Sequence, residues 1–159
     1  MPAVKIGPTQ SPELKKEFLS IQNSLLYKFN CTISHCKGKP KMITIPDSKQ
    51  EIFDIISNHL LTQMKRCDVP GPKGVNLCKY LNPNGLKCAA GILIPNDQYN
   101  PEFEGKSWDT LVNEKYVEDK HQFLIYELQG IHDWTKPEDW KIKLIQFAKQ
   151  YKLTPSFEV

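Results

Sequence analysis

Arginine is almost missing from this chain: of its 21 basic side chains only Arg66 is one, and the rest are lysine. Lysine is a hydrated point charge that forks poorly onto guanine or phosphate, which disfavours sequence-specific DNA reading. Long apolar runs are missing too. None approaches the ~18–20 residues of a membrane span, and the first ten residues hold Lys5 and two prolines where a leader would be apolar. The expectation is a cytoplasmic protein with no membrane partner and with reduced thiols. The five cysteines, at 31, 36, 67, 78 and 88, leave one over from any full set of bridges, in keeping with that. No phosphate-cradling loop is present: Pro70-Gly-Pro-Lys-Gly74 lacks the Gly-Lys-Ser/Thr ending, and its prolines remove the N–H groups a phosphate needs. Internal repeats and low-complexity stretches are likewise missing.

What is there is an ordinary globular composition, 40% hydrophobic and 25% charged over 159 residues, long enough to bury a core without metal or disulfide. The net charge of +3 is small but uneven: residues 28–87 carry ten basic and four acidic side chains, residues 88–159 eight and twelve. Opposite charge on the two halves is expected to neutralise across a folded surface. Spacings of three and four predict a helix over 11–29, through Leu14, Phe18, Ile21 and Leu25. Gly38 and Pro40 then break the pattern. A second helix follows Pro46, opened by an Asp47/Gln50 capping box and running to about Lys65, with His59 near its apolar stripe as a half-buried, hydrogen-bonded histidine.

Val75 to Leu81 and Leu86-Lys87 predict a β-hairpin about the turn Asn82-Pro-Asn-Gly85. Cys88 to Ile94 is expected as a short buried helix. After a loop at 95–106, helices are predicted from Ser107, over 119–132, and from the capping box Thr135-Lys-Pro-Glu138. The fold class expected is mainly α with one central hairpin, α+β being the alternative. Residues 1–46 would form a helical arm and connector, and 47–159 a globular helical domain with the hairpin at 75–88.

Four chemistries are open to these residues. Cys31-x-x-x-His35-Cys36 gathers soft ligands, with Cys67, Cys78 and Cys88 downstream. The second tight cysteine pair of a zinc site is lacking, so no cofactor is expected, and zinc on those six residues is the alternative. Cys88, at a predicted helix start where N–H groups lower a thiol pKa, is the candidate nucleophile, with His132 or His121 as base and Asp133 as its orienting acid. Asp97, Glu102 and Glu104 share one loop, as a glycosidase pair or a calcium loop would, although solvated acids are commoner there. Lys65, Arg66, Lys73, Lys79 and Lys87 surround Tyr80, a pattern that suits non-specific nucleic-acid binding.

The run Leu77-Cys-Lys-Tyr-Leu-Asn-Pro-Asn-Gly-Leu-Lys-Cys-Ala-Ala-Gly-Ile-Leu-Ile-Pro-Asn-Asp-Gln-Tyr-Asn-Pro-Glu-Phe-Glu-Gly105 resembles a family of small uncharacterised proteins of tailed phages and prophages. The shared core is Cys-x-Tyr, then Gly-Leu-Lys-Cys-Ala-x-Gly-x-Leu-Ile-Pro, then Tyr-x-Pro-x-x-Glu-Gly. Gln50 to Gln63 is similar to the family's opening and Leu128-Gln-Gly-Ile-His-Asp133 to its close, so the likeness spans about 47–153. It implies a phage origin and a host cytoplasm, and it carries no mechanism. A motif rich in Gly, Pro and Asn suits a rigid knot between helices. The first expectation is therefore a non-enzymatic accessory protein that binds a host or phage protein, through an exposed face holding Lys73, Lys79, Tyr80, Lys87, Tyr99 and Phe103. A small cysteine enzyme and a nucleic-acid binder are the alternatives.

Overall fold

Ile52, Phe53, Ile56 and Leu60 fall on one stripe of a helix and are all buried, so Lys49–Gln63 (α1) folds against the centre of the molecule. The computed structural model describes residues 41–158. Of the expected arm and connector at 1–46, residues 1–40, with Cys31, His35 and Cys36, lie outside the described residues. Three further helices follow: Trp108–Asn113 (α2), Gln122–Trp134 (α3) and Trp140–Tyr151 (α4). Helices α1, α3 and α4 pack on one another, with Leu124, Ile125 and Leu128 meeting Trp140, Leu144 and Phe147 in a shared core. Phe53 stacks on Phe147 with ring centres 6.0 Å apart. No described helix is long and apolar enough to cross a membrane.

The mainly helical class with a two-stranded hairpin is what forms, but the hairpin sits earlier than its turn signal suggests. Asp68–Pro70 (β1) pairs antiparallel with Asn76–Cys78 (β2), Asp68 opposite Cys78. The prolines and glycines of Asp68 to Gly74 read as irregular, yet Asp68–Pro70 pairs, and residues 71–75 are the connecting loop. The Asn82–Gly85 turn also forms, closed by a single bridge from Leu81 to Lys87. Asn82 Oδ1 holds it by accepting from the N–H groups of Asn84 (2.9 Å) and Leu86 (3.0 Å). The strand signal at 75–81 was legible, whereas its partner was not: Asp68 and Pro70 disfavour strands and leave Val69 alone to signal one.

Other boundaries differ for local reasons. Ser48, not Asp47, caps α1 by accepting from the Glu51 N–H. Asp47 pairs with Lys120 at 2.8 Å instead, and Gln50 trades hydrogen bonds with the backbone of Thr154. Cys88 to Ile94 is no α-helix: only the 3-10 turn Gly91–Leu93 forms. Its cause is a close approach. A Cβ on Gly91 would lie 2.1 Å from the carbonyl oxygen of Tyr80, so only glycine lets these two segments touch.

His59, half-buried as expected, donates to the Lys87 carbonyl at 2.9 Å, and Gln63 bonds both the N–H and the carbonyl of Lys87. The segment bearing Cys88 is thus clamped to α1 on one side and to Tyr80 on the other.

Gly91→Ala is expected to cost roughly 1–3 kcal/mol in urea unfolding, the scale of overpacking. Gly130→Ala is the control. Its new methyl meets only the edge of Trp134 at 3.7 Å, and the change is expected to be neutral or to stabilise by up to ~1 kcal/mol. Equal effects at both positions would contradict the close-approach account.

Candidate functional site

Strand β2 ends at Cys78 and helix α3 passes beside it, and together they open a cleft of about 830 Å³ among the described residues. That volume lies within the range of small-molecule sites. Cys78, Cys88, Gln129 and Asp133 line one part of it, with Trp108, Phe123 and Tyr126 among its apolar walls.

Gln129 organises the polar end. Its side-chain carbonyl accepts from the Ala90 N–H at 2.9 Å. Its amide donates to Asp133 Oδ1 at 2.8 Å and to Cys78 Sγ at 3.4 Å. Every hydrogen-bonding position that holds this amide in place is taken, so a donor stays aimed at the Cys78 sulfur.

His132 is fully buried and stacks on Trp140, ring centres 5.5 Å apart. Its Nδ1 faces Asp133 Oδ1 at 2.8 Å and Cys78 Sγ at 3.8 Å. Adjacent side chains on a helix usually diverge, yet His132 and Asp133 meet because both turn toward the sulfur. The other ring nitrogen decides the tautomer. The Cys67 N–H donates to Nε2 at 3.0 Å, so Nε2 carries the lone pair and Nδ1 the hydrogen.

Two influences on this ring disagree. Burial opposes charging it, while Asp133 and then the Cys78 sulfur draw a proton toward it. A second proton would set an Nε2–H against the Cys67 N–H. A backbone amide cannot reverse its role, and this one is held beside the strand pair, so the neutral Nδ1–H form prevails.

With Nδ1 protonated, His132 can neither accept a proton from a thiol nor offer Nδ1 to a cation. Cys78, His132 and Asp133 do bring their polar atoms within 4.8 Å of one another, but the ring's free lone pair points away, at the strand. Of the six residues of the zinc alternative, Cys31, His35 and Cys36 lie outside the described residues. Cys67 is also turned elsewhere, its thiol donating to the Leu86 carbonyl at 2.8 Å, and burial pushes it up to about 12.

The candidate nucleophile moves from Cys88 to Cys78. A three-residue 3-10 turn gives Cys88 one N–H, from Gly91 at 3.2 Å. Burial dominates, and with the neighbouring Cys78 it drives the Cys88 thiol well above its usual value. Cys78 is half-buried and lines the cleft together with Cys88. The Cys88 thiol donates to it and His132 adds to that, against burial and the Asp133 charge, which brings Cys78 down to about 6. His121 plays no part: its Nε2 donates to the Asp47 carbonyl at 2.7 Å, at the start of α3.

The expected exposed face is not exposed. Tyr80 and Phe103 are buried, and the Tyr80 hydroxyl donates to the Lys106 carbonyl. Tyr99 donates to Glu104 and packs edge-on against Phe103. Glu104 also accepts from the N–H groups of Tyr80 and Leu81, so it is a structural clamp, while Asp97 and Glu102 stay exposed. The Lys87 ammonium donates to the Ile94 carbonyl at 2.6 Å and Arg66 pairs with Asp68. Of the lysines, Lys73 is exposed and Lys79 is half-buried at the cleft.

What the sequence reading missed lies on α3. Phe123 (67% exposed), Tyr126 (71%) and Trp134 (86%) share a stripe broken by Gly130. The three-and-four spacing was visible, but the buried stripe of the same helix drew the attention.

No family model, no curated protein and no solved structure matches this chain.

Nitrogen NMR of the labelled protein is expected to show His132 as the neutral Nδ1–H tautomer across about pH 5 to 8, the window in which an ordinary histidine titrates. An imidazolium signal in that window would refute the assignment made from the Cys67 amide.

Proposed function

We propose that this protein is a thiol-dependent enzyme whose nucleophile is the Cys78 thiolate and whose substrate is a small electrophile bound in the cleft. One observation carries the reading: the Cys78 sulfur borders the cleft while the Gln129 amide, the Cys88 thiol and the His132 Nδ1–H all direct donors at it. Such an array stabilises a thiolate before substrate arrives, so no base is needed to activate it. His132 then stabilises the anion, with Asp133 holding its ring in place, and neither shuttles the proton. The reactions suited to this site are those whose leaving group departs without a proton. A reducing cytoplasm keeps the sulfur available.

Labelling with iodoacetamide tests this, each cysteine being followed by peptide mass. Cys78 is expected to react first, at a rate that rises through about pH 6 and is level by neutrality, because its thiolate is complete there. Gln129→Leu is expected to move the midpoint upward. The stability sign agrees. A thiol whose folded pKa lies below its ordinary value near 9 stabilises the fold above that value, and loses the contribution as pH falls through about 6. A Cys78 rate that climbs steadily toward pH 9 and matches that of Cys67 would dispose of the proposal.

The stripe of Phe123, Tyr126 and Trp134 supports a second reading, the phage-type accessory protein that binds a host or phage protein. Trp134→Ser is expected to abolish crosslinking to one defined host protein. Crosslinking that is indifferent to the change removes this reading.

A further inference from the structure

We infer that Cys78 and Cys88 act as a two-cysteine couple that reduces a small neutral disulfide by thiol–disulfide exchange in the cleft. The inference rests on Cys78 being the nucleophile, as proposed above, and names its substrate class. Cys78 and Cys88 both line the same cleft. Their segments are locked side by side where Gly91 touches the Tyr80 carbonyl. The third described thiol, Cys67, is committed to Leu86.

The choice of a disulfide follows from the protons. Splitting a peroxide expels hydroxide, and splitting an ester or amide expels an alkoxide or amine; each needs a proton donor at the leaving atom. The donors near Cys78 are already engaged: the His132 Nδ1–H on Asp133, the Tyr80 hydroxyl on Lys106, and the Gln129 amide on Asp133 and the sulfur. A disulfide expels a thiolate, which leaves unaided near its own pKa of about 8.5. Walls of Trp108, Phe123 and Tyr126, with charges of both signs around the rim, favour no net charge in the substrate.

The steps balance. The Cys78 thiolate attacks one sulfur of R–S–S–R, forming a Cys78–S–S–R bond and expelling R–S⁻. Cys78 no longer accepts the Cys88 S–H, so that proton passes to the expelled thiolate. The Cys88 sulfur then attacks Cys78 Sγ, closing the intramolecular disulfide and expelling the second R–S⁻, which takes a proton from water. The protein dithiol loses two electrons and the substrate gains them as two thiols; an external dithiol returns the couple to its reduced form.

The test exposes the full chain to bis(2-hydroxyethyl) disulfide at neutral pH, followed by acid quenching and trypsin. Lys79 and Lys87 lie between the two cysteines, so the couple yields fragment 74–79 joined to fragment 88–106. That joined species is expected in most wild-type chains, with almost no probe retained on Cys78. Cys88→Ser is expected to trap the probe on Cys78 in most chains. Cys88→Ala serves the same purpose if serine disturbs the packing, and the wild-type crosslink needs no variant at all. Probe retained on wild-type Cys78 with Cys88 still free overturns the couple and leaves Cys78 as nucleophile. Cys78 unmodified in every form overturns the nucleophile itself.

Discussion

The hydrogen bond from the Cys67 N–H to Nε2 of His132, 3.0 Å long and sealed from solvent, governs the chemistry of its whole neighbourhood. Because an amide can only donate, the imidazole must present its remaining hydrogen at Nδ1, to Asp133 and the Cys78 sulfur. A histidine, an aspartate and a cysteine in contact would otherwise suggest a proton relay or a cation site. With the ring fixed this way its Nδ1–H faces the Asp133 carboxylate and the Cys78 sulfur and serves as a donor only. Stacking on Trp140 keeps the ring from turning over to the other arrangement.

Around that bond the chain spends its polar groups on position. Gln129 spans the Ala90 backbone, Asp133 and Cys78. Glu104 collects the Tyr80 and Leu81 amides and the Tyr99 hydroxyl, and Gln63 with His59 holds Lys87. The result is a rigid irregular segment, 79–94, suspended between helices. The glycine-rich motif is architecture, as its composition suggests, and its two cysteines use that architecture to meet. A knot and a reactive site are not alternatives under the proposed function: the close approach at Gly91 joins the segments that carry the two cysteines.

Helical stripes were legible because their period is local: Ile52 to Leu60 and Trp140 to Phe147 announce buried faces without reference to anything distant. The Asn82 turn was legible for the same reason. The pairing of Asp68–Pro70 was not, since a strand of three residues with proline at its end is specified by its partner. For the site, His132, Asp133 and Cys88 were identifiable by type, but their roles were not. Cys88 reads as a thiol acidified at a helix start, and burial behind a three-residue turn reverses that. Cys78 gains its character from Gln129, 51 residues away, and from a tautomer fixed by Cys67, 65 residues from the histidine. No local pattern encodes either contact. The buried Tyr80 and Phe103 misled in the opposite direction, as aromatics in a polar loop look like surface anchors until Glu104 and Lys106 are seen to satisfy the loop around them.

That separation along the chain has a kinetic consequence. Closing loops of this length comes late relative to forming local helical turns. A newly made chain therefore carries thiols of ordinary acidity, and the sharpened sulfur emerges only when the last tertiary contacts are made. Under the proposed function, nucleophilicity at position 78 is in this sense a readout of completed folding: an immature or damaged molecule would be chemically quiet, and only the finished one armed.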